Sequence, residues 1–205
     1  MRILFLTFCL LTLVVTPVAA LDDNLAKQVL AEINLARSRP ASYANFIREF
    51  RKQFRGRLIM QSSSTTRIKT TEGVLAVDEA ITYLSRQRPL TQLIWSDGLA
   101  KAAAELAQEQ GESGGTGHIG RQGRGPQERV EQHGKWELTM AENIGYGPQA
   151  ARDMVMQLII DDGVSNRGHR KNIFTAEFGT AGVACGPHPR FGNMCVIDFA
   201  GGFSK

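Results

Sequence analysis

The sequence predicts an α+β fold, in which helices come first and strands come late. Apolar residues recur at helical spacing in several segments, beginning with Leu25, Val29 and Ile33. Two short apolar runs near the end of the chain, 180–185 and 194–199, are typical of strands. This order favours an α+β fold over a doubly wound sheet, in which strands and helices alternate along the chain.

The first twenty residues have the pattern of a secretory signal. Arg2 supplies a positive charge, an apolar run covers 3–15, and Val18-Ala19-Ala20 offers small residues for cleavage. A retained membrane anchor is the alternative, although the run is short for a membrane span. We therefore predict a signal peptide at 1–20 and one domain over 21–205, secreted to the extracellular space or the periplasm, with no transmembrane segment once the signal is removed.

Capping residues and apolar spacing predict the helices in order. Asp22 or Asp23 can cap the first helix, and Ser96 or Asp97 can cap the fourth. Glycine-rich loops separate the later helices. The predicted helical segments are 25–37, 42–54, 77–86, a helix that opens at Ser96 or Asp97, 129–136, and about 149–161.

Two cysteines, Cys185 and Cys195, remain after the predicted signal. An oxidising compartment favours a disulfide between them. If the two late strands form a hairpin with these cysteines opposite each other, strand alternation places six residues on one face. These are Ala181, Val183, Cys185, Cys195, Ile197 and Phe199. The alternative is two reduced, buried cysteines.

The charge of the chain is mildly positive. Lysine and arginine number 24 against 20 acidic residues, which gives +4, or +3 once Arg2 is removed with the signal. This excess does not predict a specific nucleic-acid partner. Basic residues concentrate in the region 48–69, which is either a surface for an anionic partner or a solvated face. The solvated face is favoured because few aromatic residues are interleaved with the charges.

The residues best suited to form a functional site are two histidines and a glutamate in glycine-containing segments. These segments are Gly117-His118, Glu142-Asn143-Ile144-Gly145 and Gly168-His169. Imidazole and carboxylate groups bind metals and transfer protons near neutral pH. We predict three loops that share a cleft, and we expect His133 and His188 at the surface. The sequence contains no His-Glu-x-x-His, so the familiar zinc-protease motif is missing, and Ser113 has no other support as a nucleophile.

Five motifs occur in one order along the chain: Trp95-Ser96-Asp97-Gly98-Leu99, Gly117-His118, Ala141-Glu142-Asn143-Ile144-Gly145, Gly168-His169-Arg170-Lys171-Asn172-Ile173 and the two late strands. This order resembles that of the CAP superfamily (cysteine-rich secretory, antigen 5, pathogenesis-related-1; also called SCP-like) in its secreted bacterial-type form. The resemblance covers most of 25–203 and leaves about 47–94 as a predicted insertion. It implies a three-layer α-β-α sandwich with a central antiparallel sheet.

The resemblance also implies a cleft with two histidines and two acids. The second acid is Asp161 by spacing, with Asp162 as the alternative. The implied binding-cleft residues are His118, Glu142, Asn143, Asp161 and His169. His118 and His169 would be the ligands of a divalent metal such as Zn²⁺, an optional cofactor because two protein ligands make a weak site.

These observations favour a binding protein over an enzyme. The leading prediction is a secreted CAP-like domain of unassigned activity that binds an extracellular ligand: a lipid, a sterol, a cell-envelope component or a protein. The alternative is an extracellular, protease-like hydrolase that uses four residues as its catalytic set: His118, Glu142, His169 and Asp161. The missing nucleophile and the incomplete set of metal ligands make the hydrolase the second choice.

Overall fold

The computed structural model describes residues 20–60 and 67–205. The predicted signal peptide falls on residues outside this range, apart from Ala20, so export stays a prediction. Within the described ranges, no helix combines the length and the apolar character needed to cross a membrane.

Seven helices and seven strands make up the described chain. The helices are α1 (Asp23–Ser38), α2 (Pro40–Arg51), α3 (Val74–Arg86), α4 (Asp97–Ser113), α5 (Pro126–Glu131), α6 (Ala151–Ile160) and α7 (Gly168–Ile173). The strands are β1 (Phe54–Arg55), β2 (Leu58–Met60), β3 (Arg67–Lys69), β4 (Ile94–Trp95), β5 (Lys135–Tyr146), β6 (Thr180–Gly186) and β7 (Met194–Ser204).

The central sheet has the order β4-β6-β7-β5. Strands β6, β7 and β5 are antiparallel, whereas the two-residue β4 runs parallel to β6. The predicted hairpin is confirmed, because Cys185 lies opposite Cys195 and the two form a disulfide. All six residues predicted to share a face belong to one core cluster.

Helices cover both faces of this sheet, as the predicted three-layer α-β-α sandwich requires. Helices α1, α2, α3 and α6 pack on the face that carries Val183, Ile197 and Phe199. Helix α4 covers the other face, where Ala184 and Val196 lie. Each buried Val, Ile or Phe stabilises the fold by about 1.5–3 kcal/mol, so the two apolar interfaces hold the layers together.

One glycine sets the distance between α4 and the sheet. A Cβ atom built on Gly182 of β6 would lie 2.0 Å from the backbone nitrogen of Ala100. The helix backbone therefore rests directly on the strand, which no larger residue would permit.

The fold differs from the sequence prediction around β5. The helix predicted at 129–136 ends at Glu131, and the strand β5 begins at Lys135. Pro126 at the first helical position, and a hydrogen bond from the Gly125 N–H to Glu128, start α5 earlier than predicted. The glutamate predicted in a loop, Glu142, lies instead within this strand. His169, predicted to follow a loop, lies on the short helix α7.

Residues 54–60 and 67–86 contain a small antiparallel sheet, β1-β2-β3, followed by α3. Asp162 fixes this unit to the end of α6, because its carboxylate accepts the backbone N–H groups of Thr71, Glu72 and Gly73 at 2.6–2.9 Å. Arg167 adds ion pairs to Glu72 and to a glutamate of α3. The interpretation of 47–94 as an insertion stays a prediction.

Candidate functional site

The first histidine–acid pair joins the loop after α4 to the strand β5. His118 Nδ1 lies 2.7 Å from Glu142 Oε1, with the imidazole half-exposed and the carboxylate buried. The second carboxylate oxygen, Oε2, accepts a hydrogen bond of 2.5 Å from Arg129 Nη2. The buried Arg129 also donates to the backbone carbonyl of His118, at 3.0 Å. One guanidinium therefore holds both the carboxylate and the histidine backbone.

The loop that carries this histidine is anchored on both sides. The Gly117 N–H donates to the Tyr146 hydroxyl at 3.0 Å, and the Gln110 side chain donates to the Gly117 carbonyl at 2.6 Å. His188, at the tip of the β6–β7 hairpin, lies 2.8 Å from the Gly115 carbonyl through Nε2. The expectation that His188 lies at the surface is wrong, because it is 2% exposed and supports the loop.

The second histidine–acid pair joins the end of α6 to the start of α7. His169 Nδ1 lies 2.6 Å from Asp161 Oδ1, and the backbone N–H of His169 donates to Asp161 Oδ2 at 2.9 Å. The backbone N–H of Arg170 approaches the same oxygen at 3.4 Å. A single buried carboxylate therefore orients the ring and accepts the first backbone donors of the helix.

Asp161, and not Asp162, contacts a histidine. The Asp162 carboxylate is occupied by the backbone at the start of α3, as described above. Asn143 also belongs to the second pair, since its side chain donates to the His169 carbonyl at 3.0 Å and accepts from Asn172 at 2.8 Å.

The two pairs contact consecutive residues of β5. Glu142 and Asn143 are consecutive in this strand, and successive side chains of a strand point to opposite faces. Glu142 faces the layer of α4 and α5, whereas Asn143 faces α7. It stays a prediction that one cleft is lined by His118, Glu142, Asn143, Asp161 and His169.

Both imidazoles are oriented in the same way. An Nδ1–H group that donates to a carboxylate leaves Nε2 free to accept a proton or to bind a metal. Across residues 20–60 and 67–205, no group of three or more His, Cys, Asp or Glu side chains is arranged to hold a metal ion. Zinc sites in proteins use three or four protein ligands, so His118 and His169 alone do not fit such a site. Metal binding by His118 and His169 stays a prediction.

A cavity of about 860 Å³ lies between α6, the small β1–β3 sheet and the end of β5. His169 and Asp161 line it, whereas His118 and Glu142 do not. Its apolar lining includes Phe50, Phe54, Ile59, Ile68, Ile144, Met156, Leu158 and Ile160. Of the two histidine–acid pairs, the second is thus the one that borders this half-open cavity.

Sequence reasoning missed two residues beside the first pair. Arg129 was predicted only as part of a helix, and Asp198 only as part of a strand. Asp198 lies directly opposite Glu142 in the sheet and is fully buried. The alternation of the hairpin shows that Asp198 points away from the cystine face, but its partner becomes visible only once β5 is known to pair with β7.

The chain matches the model of the cysteine-rich secretory protein family, CAP, over residues 30–199. It belongs to the CAP family. The match covers the four-stranded sheet as far as Phe199 of β7 and every residue of both histidine pairs. A comparison with functionally curated proteins gave no match.

Two solved structures resemble this CAP domain. An outer surface protein of Borrelia burgdorferi is 19% identical, with a TM-score of 0.46 over 54% of this chain and 78% of that one. An extracellular protein with an SCP domain from Bacillus anthracis str. Ames is 18% identical, with a TM-score of 0.42 over 62% of this chain. The present chain spans 37% of the length of the Bacillus protein. At these scores neither structure indicates a function for this CAP domain.

Proposed function

We propose that this CAP domain is an extracellular binding protein that takes an amphipathic ligand, a lipid or a sterol, into the cavity beside His169. The observation that carries the proposal is the cavity itself, which combines an apolar lining with one oriented histidine–acid pair. Its volume lies within the roughly 300–1,000 Å³ of small-molecule sites.

The small sheet supplies the apolar wall. Phe54, Ile59 and Ile68 are cross-strand neighbours in β1, β2 and β3, so their side chains share one face. All three line the cavity, together with Met156 and Leu158 of α6. A hydrocarbon body placed between these two walls would be removed from water, which is the main favourable contribution to binding an apolar molecule.

His169 supplies the polar contact. Asp161 fixes the ring through Nδ1, so Nε2 is the acceptor that remains for a ligand. A sterol hydroxyl or a protonated carboxylic acid can donate to this nitrogen. Because the ring is already oriented in the free protein, little conformational entropy would be lost on binding.

Two matched pairs of variants test the proposal, with a fluorescent sterol and a dansyl-labelled fatty acid as probes. Ile68→Glu places a charge in the cavity wall at a residue 44% exposed, and Leu75→Glu places the same charge at a residue 72% exposed outside the cavity. We expect the first to weaken binding at least about tenfold, because a ligand would bury an unpaired carboxylate. The second should bind like the wild type.

The second matched pair of variants is His169→Ala and His133→Ala. The side chains of His169 and His133 are 26% and 25% exposed, and each contacts a carboxylate, but only His169 lines the cavity. His169→Ala should weaken binding about 2–12-fold, the effect of one lost hydrogen bond. His133→Ala should not. A wild-type protein that binds neither probe, or an Ile68→Glu variant that binds both at full strength, would overturn the proposal.

A hydrolase is the second candidate, favoured by the fixed orientation of both imidazoles. An Nε2 atom free of protein partners can remove a proton from water, with the carboxylate at Nδ1 stabilising the imidazolium that forms. Cys185 and Cys195 form a disulfide and supply no thiol nucleophile. Hydrolysis of a peptide or an ester that disappears in both Glu142→Gln and His118→Ala would support this candidate. No hydrolysis by the wild type would exclude it for the substrates tried.

A further inference from the structure

The most unusual buried group in the described chain is the carboxyl of Asp198. It lies in β7 with Glu142 of β5 on one side and Gly182 of β6 on the other. The backbone of α4 rests on Gly182 and closes this face of the sheet. Asp198 has no solvent exposure, and neither of its carboxyl oxygens receives a hydrogen bond from any described residue. A buried polar group without a partner is costly, so its protonation state needs an explanation.

The polar neighbour of Asp198 is another acid. Glu142 lies directly opposite in the antiparallel pair, where opposed Cβ atoms are about 4.5–5.5 Å apart. Both Glu142 oxygens already accept hydrogen bonds, from Arg129 and at His118 Nδ1. A carboxylate can accept further hydrogen bonds but cannot donate one. The two acids can therefore bond to each other only if one of them carries a proton.

The surrounding charges decide which acid is protonated. Arg129 of α5 is the cation of this cluster, and its shortest hydrogen bond is to Glu142. Leu99 and Ala100 of α4, the residues that rest on Gly182, carry no titratable group. Burial, and then the negative charge of Glu142, raise the pKa of Asp198 well above its ordinary value, while Arg129 opposes this rise. Two ionised acids with one cation would leave an uncompensated buried charge.

We propose that Asp198 is a protonated carboxylic acid that donates a hydrogen bond to Glu142 and so positions Glu142 as the acceptor for His118. With Asp198 neutral, Glu142 and Arg129 cancel each other's charge, and a His118 ring that donates to Glu142 through Nδ1 leaves Nε2 available. Asp198 is thus a positioning residue for the first histidine pair. This inference does not depend on the ligand proposed for the cavity.

The test measures the proton directly. Selective ¹³C labelling of aspartate side chains, followed by NMR at neutral pH, should show one protonated carboxyl resonance that is lost in Asp198→Asn. The exposed residue Asp153 of α6 supplies the control, because Asp153→Asn should leave that resonance in place. A fully ionised set of aspartates in the wild type would overturn the proposal and would indicate instead that Arg129 neutralises Asp198.

The positioning role has its own measurement in the ¹⁵N spectrum of His118. Asp198→Asn keeps a neutral hydrogen-bond donor of the same shape, so the Nδ1–H tautomer should be retained. Asp198→Ala removes the donor, so Nδ1–H should no longer be the single tautomer. If both variants show the wild-type spectrum, Asp198 does not position Glu142. If Asp198→Ala does not fold, the carboxyl resonance of the wild type still decides the proposal.

Stability against pH provides a further check with a defined sign. A carboxyl whose folded-state pKa is raised stabilises the fold below its unfolded pKa, about 3.9, and that stability is lost as the pH rises toward the folded value. The urea midpoint of the wild type should therefore fall relative to that of Asp198→Asn as the pH rises through this window. Parallel curves would contradict a raised pKa for Asp198.

Discussion

The two histidine–acid pairs have the same local geometry but differ in what supports them. In the His169–Asp161 pair the residues are eight positions apart, and the carboxylate is held by backbone N–H groups of the adjacent helix. In the His118–Glu142 pair they are 24 positions apart, and a buried arginine from a third element completes the contact. The His169–Asp161 arrangement is local, whereas the His118–Glu142 arrangement depends on the packing of α4, α5 and β5.

This difference has consequences for stability and for binding. The local pair borders the cavity and can change with little effect on the core, which suits a contact with a ligand. The distant pair is part of a buried charge cluster, whose members cannot be removed singly without leaving an unpaired charge. We therefore expect variants of the His169–Asp161 pair to act mainly on binding, and variants around the His118–Glu142 pair to act mainly on folding.

The largest effect is expected from Arg129→Met. It removes the cation from beside Glu142, and leaving a buried charge unpaired costs about 3–5 kcal/mol. Urea unfolding measures this loss. Arg124→Met is the matched control, because Arg124 pairs with Glu105 and Glu109 in a partly exposed position, where ion pairs contribute about 0–1 kcal/mol. Equal losses from the two variants would show that the Glu142 cluster is not buried as described.

The second largest loss of stability is expected from removing the disulfide. Replacing Cys185 and Cys195 with serine opens a loop with a sequence separation of 10, and the chain-entropy estimate for such a loop is about 2–3 kcal/mol. Because the hairpin tip holds the Gly115 carbonyl through His188, the loop of the first histidine should also loosen. We expect histidine NMR signals to broaden for His118 and to stay sharp for His169. The reverse pattern would contradict the support assigned to the hairpin.

The smallest effect on stability is expected at the two adjacent aspartates, Asp161 and Asp162, which should differ in their effect on binding. Asp161→Ala and Asp162→Ala each remove a carboxylate that accepts backbone N–H groups, and each should cost about 0.5–2 kcal/mol, as a lost helix cap does. Only Asp161→Ala should free the His169 ring and weaken binding of the sterol probe. A similar loss of probe binding in both variants would mean that the small sheet, rather than the histidine, controls the cavity.

The sequence predicted the elements whose signals are local. Asp22 caps α1, since its Oδ1 accepts the Leu25 N–H at 2.9 Å, and Ser96 caps α4 in the same way at 3.3 Å. The hairpin register follows from strand alternation and the cysteine spacing alone. Asp161 could be preferred to Asp162 from its spacing to His169, and the structure places it in contact with that ring.

What the sequence could not predict depends on distant contacts. Strand β5 lies at the edge of the sheet and has no regular alternation of buried and exposed residues, so a helix was predicted over its first two residues. Once that strand was missed, neither Arg129 nor Asp198 could be placed beside Glu142. The sequence also could not predict that Phe54, Ile59 and Ile68 share one apolar face, because this face is assembled from three very short strands.

The most direct test of the proposed cavity site is a histidine NMR titration of the wild-type protein with an unlabelled sterol or fatty acid. If the ligand enters the cavity, the His169 ring signals should shift in proportion to occupancy, while those of His118 stay unchanged. A shift confined to His118 would place the ligand beside the His118–Glu142 pair and would contradict the proposal.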